Sequence, residues 1–393
     1  MARKKGNGEG SIYKYKKNGV TYYKGQLTIG RNEEGKLIRK SFNAKKREDV
    51  VNAMTNYKSQ MLNGELSTNE KITLAEWYHT YIFEFRKNDL KPSTFERYYS
   101  IYKNYILNSP LANIKLVDLR TVDIQKYYNK LLSVDNKTPS IVSTINRYVT
   151  TVLLEAVKQG IIKKAYSTLV KIPKVEYNSD YSVLSLEDQR KFIKAIQNHK
   201  FKVLFLTALG TGLREGELLA LKWSDIDFIE NTVSVSKTIK RVPIIEKDGS
   251  RKYKIIEQEP KTKSSIRIVP LPDNIVSELE KYKSKQNIEK MKNRDIYNDM
   301  NYVFADKFGN PLESKRPNRN FQSVLKSIDI TPIKFHSLRH TYATRLFEQN
   351  VPIKTVQKLM GHKDSSTTLD IYTHVMPSEK IKAVEKINNL LSM

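Results

Sequence analysis

The sequence predicts a multidomain, mainly α-helical protein. It begins with a small β-sheet plus one helix, continues with a helical domain, and ends with a mixed, mostly α domain that contains a small antiparallel sheet. Three observations support this prediction. The chain has 393 residues, more than one ordinary core accommodates. Polar and apolar residues alternate near the amino terminus, whereas apolar residues recur every three or four positions over most of the remainder. An aperiodic, proline-containing stretch separates the second region from the third.

Residues 1–64 are the first predicted domain. Three alternating segments, SIYKYKKNG, VTYYKGQLTIG and KLIRKSF, indicate short strands. They are joined by Asn18-Gly19 and by RNEEG, both of which are hairpin-turn compositions. A helix follows, because apolar residues recur at spacings of four, three and four: Val50, Met54, Tyr57 and Met61.

Residues 70–172 are predicted to be all helical. The segment PSTFERYYSIYKNYIL begins with Ser93 and Glu96 in capping-box register. The segment TVDIQKYYNKLL begins a helix at Thr121, and PSIVSTINRYVTTVLLEAVKQG ends at Gly160, a natural helix stop. Four or five short helices are expected here.

Residues 173–182 are the predicted linker, and residues 183–393 are the third domain. Its segments SLEDQRKFIKAI and FKVLFLTALGTGLREGELLAL are helical by pattern, whereas TVSVSKTIKR and IRIVPL are typical of strands. The chain returns to helix after Phe335, and PSEKIKAVEKINNLL predicts a short terminal helix. Its narrow apolar stripe is too small for stability alone, so this tail helix must dock on its own domain or on a neighbouring subunit.

Composition narrows the function classes. The chain has 69 Lys and Arg against 42 Asp and Glu, a formal net charge of +27, which attracts polyanions. A membrane role is not expected, because the sequence contains no window of about 18 uncharged apolar residues and no signal-peptide pattern. The absence of cysteine excludes disulfides and thiolate chemistry and fits a cytoplasmic protein. A nucleic-acid-binding protein is therefore expected, with a merely basic soluble enzyme as the alternative.

The first domain concentrates this charge. Its first 60 residues include 15 basic and 5 acidic side chains, and tyrosines interleave with the lysines. Such a sheet can set one face into a DNA groove. A solvated charged face is the alternative interpretation.

Two cationic motifs open the third domain. In TGLREGELLALKWSDID, Arg214 follows Gly210 and Gly212, where the backbone can approach a ligand closely. By itself, an arginine beside acidic residues is more often part of a structural ion pair. In EPKTKSSIRIVPL, Lys261 and Lys263 lie at the tip of a predicted hairpin that runs from residue 255 to residue 269. A flexible ammonium there can reach a phosphate or a leaving oxygen, although lysines at such tips are usually only solvated.

The segment HSLRHTYATRLF adds two more candidates. Residues three apart share one face of a helix, so His336 and Arg339 point the same way while Leu338 and Tyr342 turn inward. His340 follows His336 by four, as in two-histidine zinc helices, but the intervening glutamate of that motif is missing. An imidazole beside a guanidinium suits a phosphate better, because the arginine fork binds two oxygens.

The last cluster is KLMGHKDSSTTLDIYTHV. Gly361 is predicted to end a helix and to place His362 in the tight turn that follows, and Tyr372 lies ten residues further on, on the next helix. A tyrosine on an amphipathic helix is usually a core residue. However, fixed cations on separate segments can replace a metal around a pentavalent phosphate, and a neutralised phosphate allows a tyrosine hydroxyl to act as nucleophile. The combination predicts metal-free attack on a phosphodiester.

These residues resemble the tyrosine site-specific recombinases, in the integrase branch of phages and integrative conjugative elements. Four blocks carry the resemblance in family order: TGLREGELLALKWSDID, KTKSSIRIVPL, HSLRHTYATRLF and LMGHKDSSTTLDIYTHV. The helical second domain resembles the core-type DNA-binding domain of these enzymes. The basic first domain resembles the arm-type DNA-binding domain, and residues 183–393 resemble the catalytic domain.

The resemblance implies a role for each candidate. Tyr372 would form a 3′-phosphotyrosine, and Glu217 would be an acidic support residue. Two arginines would hold the scissile phosphate, two histidines would complete the contacts and assist proton movement, and a lysine would protonate the leaving 5′-oxygen: Arg214, Arg339, His336, His362 and Lys263. Lys261 remains an alternative to Lys263, and the general base can be either histidine. No cofactor and no metal are implied.

The resemblance also implies partners. The enzyme would cut and rejoin double-stranded DNA at core-type and arm-type sites, as a homotetramer, through a Holliday junction. It would integrate and excise a mobile element, and the need for an excisionase or a host DNA-bending protein stays open. The alternatives are DNA relaxation of the type IB topoisomerase kind and a catalytically silent DNA-binding regulator. The complete catalytic set argues against the regulator.

Overall fold

A computed structural model describes most of the chain. The described residues are 10–31, 36–62, 71–174, 182–260 and 263–375. The chain divides into two compact units, residues 1–175 and residues 176–393. Most of the predicted linker and the whole predicted tail helix lie outside the described residues. Within the described ranges, no helix is both long and apolar enough to cross a membrane.

The first domain is a three-stranded antiparallel sheet with one helix. The sheet has the order β1 (Ser11–Lys17), β2 (Val20–Arg31) and β3 (Leu37–Ala44), and α1 (Arg47–Leu62) packs on it. The turn between β1 and β2 has positive φ at both Asn18 and Gly19, as a two-residue hairpin of this composition requires. Three buried side chains form its small core: Leu27, Val50 and Met54. The predicted strands and helix are confirmed.

The second domain is helical, as predicted. Its α-helices are α2 (Leu74–Thr80), α3 (Pro92–Ile101), α4 (Thr121–Ser133) and α5 (Pro139–Lys158). π-Helical turns follow α2 at Tyr81–Phe85 and α3 at Tyr102–Ile106, and a 3₁₀ turn spans Tyr166–Leu169. The predicted capping box was wrong, because α3 begins at Pro92 and Lys91 caps it without a side-chain hydrogen bond. Proline at the first helical position is favoured there because its fixed φ suits the helix and its missing N–H would have no partner within the helix.

The second unit is built mainly from helices around a large apolar core. They are α6 (Leu186–Ala195), α7 (Lys202–Thr211), α8 (Glu215–Leu219), α9 (Asp273–Lys292), α10 (Lys315–Ser327), α11 (Ser337–Glu348), α12 (Ile353–Met360) and α13 (Ser365–Val375). The leucines around Arg214 are buried, including Leu213 and Leu218. A second, smaller core joins α11, α12 and α13 around Phe347, Met360 and Ile371. The predicted mainly α multidomain fold is confirmed.

The strands of this unit pair differently from the prediction. One sheet has the order β4 (Ile226–Asp227), β5 (Thr232–Val235), β8 (Arg267–Pro270), and a separate hairpin joins β6 (Thr238–Ile245) to β7 (Arg251–Gln258). The predicted hairpin between residues 255 and 269 was therefore wrong, because β7 pairs with β6 and β8 pairs with β5. The predicted single strand TVSVSKTIKR is two strands of different sheets. Alternation reveals the faces of a strand but not its partner.

Candidate active site

Arg214 stands at the junction of two helices. Helix α7 ends at Thr211, and Gly212 caps it in the left-handed conformation with φ of 61°. A Cβ on Gly212 would lie 2.3 Å from the Tyr342 ring, so only glycine fits this close approach. Arg214 then caps the start of α8, and its side chain keeps 36% of its surface exposed. The turn therefore presents a guanidinium at the surface of the unit.

The Glu217 carboxylate holds Arg214 in place through hydrogen bonds. Its carboxylate accepts from Arg214 Nη1 at 2.7 Å and from the Arg214 main-chain N–H at 3.0 Å. It also accepts from Arg267 Nη2 at 2.9 Å. Burial favours the neutral acid, but the hydrogen bond and charge of Arg267, together with Arg214, outweigh burial and lower the pKa of Glu217. Glu217 is thus a buried carboxylate shared by two arginines.

Arg339 is buried, which the helical pattern alone did not reveal. Only 2% of its surface is exposed, and it is among the largest fully buried side chains. Nη1 donates to the Gly212 carbonyl at 2.7 Å, and Nη2 donates to the Met360 carbonyl. Burial and the charge of Arg214 lower the pKa of Arg339 to about 9, so the guanidinium remains a cation near neutral pH.

Three arginines meet at the end of α12. Arg267 Nε donates to the Leu359 carbonyl at 2.7 Å, Arg339 to the Met360 carbonyl, and Arg214 Nη2 to the Gly361 carbonyl at 3.1 Å. The last carbonyls of a helix have no partner within it and carry partial negative charge, so cations satisfy them well. Three consecutive carbonyls thereby hold guanidinium groups from three segments together.

The histidines lie next to this cluster. Helix α12 ends at Gly361 in the left-handed conformation, as predicted, and His362 follows with Nδ1 2.8 Å from Thr368 Oγ1. Burial, then Arg339 and Arg214, lower the pKa of His362 to about 3. His336 precedes α11 and is exposed. Partial desolvation of its ring, and then the charges of Arg339 and Arg214, lower the pKa of His336. Both imidazoles are therefore neutral at pH 7.

Two further rings belong to packing. His340 lies in α11, edge-on to His336, with ring centroids 4.8 Å apart, and burial lowers the pKa of His340 to about 4. Among the described residues, no group of three potential metal-binding side chains occurs around this pair or elsewhere. Tyr342 packs against Gly212, which fits the predicted inward orientation.

Tyr372 lies on α13, the helix after the His362 turn. Its half-buried ring meets Phe347 of α11 edge-on, with centroids 5.2 Å apart, beside the small core of α11 to α13. The ring that carries the hydroxyl therefore packs on the small apolar core, and its helix packs against both α11 and α12.

Lys263 begins a 3₁₀ turn, Lys263–Ser265, just before β8. The structure describes its backbone and not its side chain, and Lys261 lies outside the described residues. A pocket of about 350 Å³ adjoins this turn. Its lining includes residues of the site, of the turn and of neighbouring segments: Arg214, Glu217, Thr238, Pro260, Ser265, Gly361 and Lys363. The pocket lies where an anion would meet Arg214.

The structure thus gathers Arg214, Arg339, His336 and His362 into one cationic site, with Glu217 beneath it. Sequence reasoning did not single out Arg267. The segment SSIRIVPL gave no signal for it, because alternation would turn Ile266 and Ile268 inward, whereas the structure leaves them 56% and 67% exposed and turns Arg267 and Val269 inward. An arginine on the inward face of a strand indicates a buried partner.

Fixed guanidinium groups beside neutral imidazoles can bind a phosphate and stabilise the negative charge that develops on it during transfer. Residues 182–379 match the phage integrase family, and residues 73–132 match the N-terminal SAM-like domain of phage integrases. A tyrosine recombinase XerC-like protein of Caldanaerobacter subterraneus is 41% identical over 384 residues, which cover 96% of this chain and 98% of that protein.

Solved structures show the same fold. An integrase of the Tn1549 transposon, in complex with a circular intermediate DNA, superposes with a TM-score of 0.64 at 20% identity, over 80% of this chain and 99% of that one. A lambda integrase tetramer bound to a Holliday junction has a TM-score of 0.56 at 20% identity, over 94% and 96%. The chain belongs to the phage integrase family of tyrosine recombinases, enzymes that break and rejoin DNA.

Proposed function

We propose that this recombinase is a site-specific integrase in which Tyr372 attacks the scissile phosphate. The bond from phosphorus to the tyrosine oxygen forms as the bond from phosphorus to the 5′-oxygen breaks. The tyrosine proton passes to a base, and the 5′-oxygen gains a proton and leaves as a hydroxyl. Attack by a 5′-hydroxyl of the partner strand reverses these steps, so rejoining needs neither ATP nor a redox cofactor.

The observation that carries this proposal is the pair Arg214 and Arg339, anchored on the neighbouring carbonyls of Gly361 and Met360. Two guanidinium groups held this way can grip the non-bridging oxygens, on which negative charge builds up in the transition state. Because both are fixed before DNA binds, little reorganisation is required during the reaction. Glu217 offsets only part of their charge, since it is shared with Arg267.

Proton movement is assigned to the histidines and to the lysine of the 3₁₀ turn. The lowered pKa values of His336 and His362 leave both rings able to accept the tyrosine proton at neutral pH. A bound phosphate opposes the arginine charges that lower these pKa values, so a proton taken up by either ring is stabilised after DNA binds. Lys263, rather than Lys261, is proposed to protonate the leaving 5′-oxygen, because it begins the turn next to β8.

The assembly is proposed to be a homotetramer that exchanges strands through a Holliday junction in the cytoplasm and integrates and excises a mobile element. The lambda integrase tetramer on a Holliday junction and the Tn1549 integrase on a circular intermediate support this proposal. Residues 70–172 would bind core-type sites, and the basic first domain, residues 1–64, would bind arm-type sites. An excisionase or a host DNA-bending protein would act as an accessory partner.

A nicked suicide duplex tests the proposal. The duplex is built from the repeats that flank the integrated element, and the nick lets the cut 5′-end diffuse away. We expect wild type to form a covalent adduct on denaturing gels and Tyr372→Phe to form none. Tyr342→Phe is the matched control, because that ring packs on Gly212, and it should still form the adduct.

The two possible failures differ. Absence of an adduct with wild type would overturn the enzymatic proposal, whereas an adduct with Tyr372→Phe would overturn only the choice of nucleophile. Relaxation of any supercoiled plasmid by monomers, without site preference, would support the topoisomerase activity instead.

A further inference from the structure

Arg267 joins three segments that carry proposed site residues. From β8 its Nε donates to the Leu359 carbonyl at 2.7 Å, its Nη1 to the Ser265 carbonyl at 3.0 Å, and its Nη2 to Glu217 at 2.9 Å. Its side chain is only 6% exposed. The planar fork of arginine carries donors on three nitrogens and can reach three separated acceptors at once, whereas a lysine has its three donors on a single nitrogen.

Each acceptor of Arg267 leads to a different part of the site. Ser265 ends the 3₁₀ turn that begins at Lys263. Leu359 lies in the last turn of α12, three residues before His362. Gly361 packs directly on the arginine, because a Cβ there would lie 3.1 Å from its Cδ and Nη1. Movement of Arg267 would therefore disturb both the Lys263–Ser265 turn and the turn that carries His362.

The third acceptor, Glu217, controls charge. Glu217 Oε1 accepts from Arg214 Nη1, while Arg267 binds Oε2. The carboxylate is thus divided between two cations, and Arg214 is only partly neutralised. Without Arg267, the full negative charge of Glu217 would act on Arg214 and weaken the attraction of Arg214 for a phosphate.

We propose that Arg267 is a positioning residue of this active site, which aligns the Lys263 turn with the His362 turn and takes up part of the Glu217 charge so that Arg214 remains available to the scissile phosphate. The proposal rests on the function proposed above for those residues. Arg267 itself faces protein carbonyls and a carboxylate, so it acts through its neighbours.

The pH dependence of cleavage tests this role. The charged and titratable groups facing Glu217 are Arg214 from its own segment, Arg267 from β8, and Arg339 and His336 from α11. Replacing Arg267 with methionine removes a cation that lowers the pKa of Glu217, so that pKa rises and Glu217 protonates at higher pH.

In Arg267→Met, cleavage of the suicide duplex at saturating DNA should fall about tenfold or more at pH 7. Protonation of Glu217 weakens its hold on Arg214, so cleavage falls on the acid side, and the midpoint of that fall should move to higher pH in the variant. Affinity for the duplex should stay within about twofold, because many phosphate contacts share it. If Arg267→Met does not fold, Arg267→Lys serves instead, with a smaller shift of the midpoint in the same direction.

Arg345→Met is the matched control for the loss of an arginine that bridges three acceptors. Arg345 also donates to three acceptors, which are Gln189, the Leu184 carbonyl and Glu348. It should lower the melting temperature comparably and leave the acid-side midpoint in place. If Arg267→Met and Arg267→Lys keep the wild-type midpoint, Arg267 contributes only to stability and the proposal fails.

A double-mutant cycle provides a second measurement. In the Arg267→Met background the Glu217 charge opposes Arg214, so adding Glu217→Gln should cost less than the same change in wild type, by about fivefold or more. Additive effects would overturn the charge-sharing role. Both measurements start from wild-type adduct formation, so failure of wild type would count against the proposed function, whereas failure confined to these variants would count against Arg267.

Discussion

The amino-terminal sheet and the second unit, residues 176–393, both carry many basic side chains but hold them differently. On the sheet, Arg39 is exposed and pairs across the strands with Thr28, on the face opposite Leu27 and α1. In the second unit, the side chains of Arg339 and Arg267 are almost completely buried and donate to main-chain carbonyls. The same residue type is thus exposed to water in one region and buried and hydrogen-bonded in the other.

This difference separates attraction from catalysis. Exposed cations act on DNA over a Debye length of about 10 Å and are weakened by salt. Fixed cations are costly to bury, yet they already point to where charge develops in the transition state. Basic residues of the sheet should therefore govern the affinity for DNA, and the buried arginines of the second unit should govern the rate of cleavage.

Arg339→Lys should have the largest effect. A lysine cannot bridge the Gly212 and Met360 carbonyls as the guanidinium does, and it cannot offer a second donor to the phosphate. We expect single-turnover cleavage at saturating DNA to fall about 10²–10³-fold. Arg345→Lys, on the same helix, should cleave like wild type. Equal losses in both variants would show that α11 tolerates no such change and would remove the contrast.

Lys263→Ala should come next, with cleavage about 10²-fold slower, because the leaving 5′-oxygen loses its acid. A substrate with sulfur in place of that 5′-oxygen should restore the rate, since a thiolate leaves without a proton. Lys261→Ala is the matched control and should retain cleavage of ordinary DNA. If Lys261→Ala is the variant rescued by sulfur, the two lysines exchange roles.

On the sheet, Arg39→Ala should reduce affinity for arm-type DNA without changing cleavage of a duplex that contains only the core site. Loss of one phosphate contact should lower the slope of log affinity against log salt by about 1. Lys58→Ala is the control, because Lys58 is exposed on α1, which covers the other face of the sheet. Equal slopes for the two variants would contradict binding through the open face.

The smallest effect concerns stability at acid pH. His362 has a folded-state pKa of about 3 against 6.5 ordinarily, so the unfolded chain takes up a proton first as pH falls. The contribution of the neutral ring is present above about pH 6.5 and is lost toward pH 3. Between pH 8 and pH 5, the free energy of unfolding measured with urea should fall by about 1 kcal/mol less in His362→Gln than in wild type, after allowance for partial solvation. Parallel losses would contradict this assignment.

The sequence supported the fold well where local patterns are strong. The alternation of β1 to β3, the Asn18-Gly19 turn and the glycine that ends α12 all have local causes, and they occur as predicted. Predictions failed where the outcome depends on distant partners. The partner of β7 and the burial of Arg339 are of this kind, because a pattern of apolar residues does not show which strand or carbonyl lies opposite.

The candidate residues were identified from motif order, and their roles remain predictions. The structure added Arg267, which looks like an ordinary strand residue until its three acceptors are known. It also showed that Glu217 serves two arginines, a relation that joins positions 50 residues apart.

By itself, then, the sequence determined the polyanionic partner class, the helical fold and the residue types of the site, because charge, periodicity and motif order are properties of the chain. Only the tertiary structure decided that three guanidinium groups share the end of one helix. Such an arrangement requires that segments distant in sequence pack together, and that carbonyls and a single carboxylate offset the cost of burying the charges of Arg267 and Arg339.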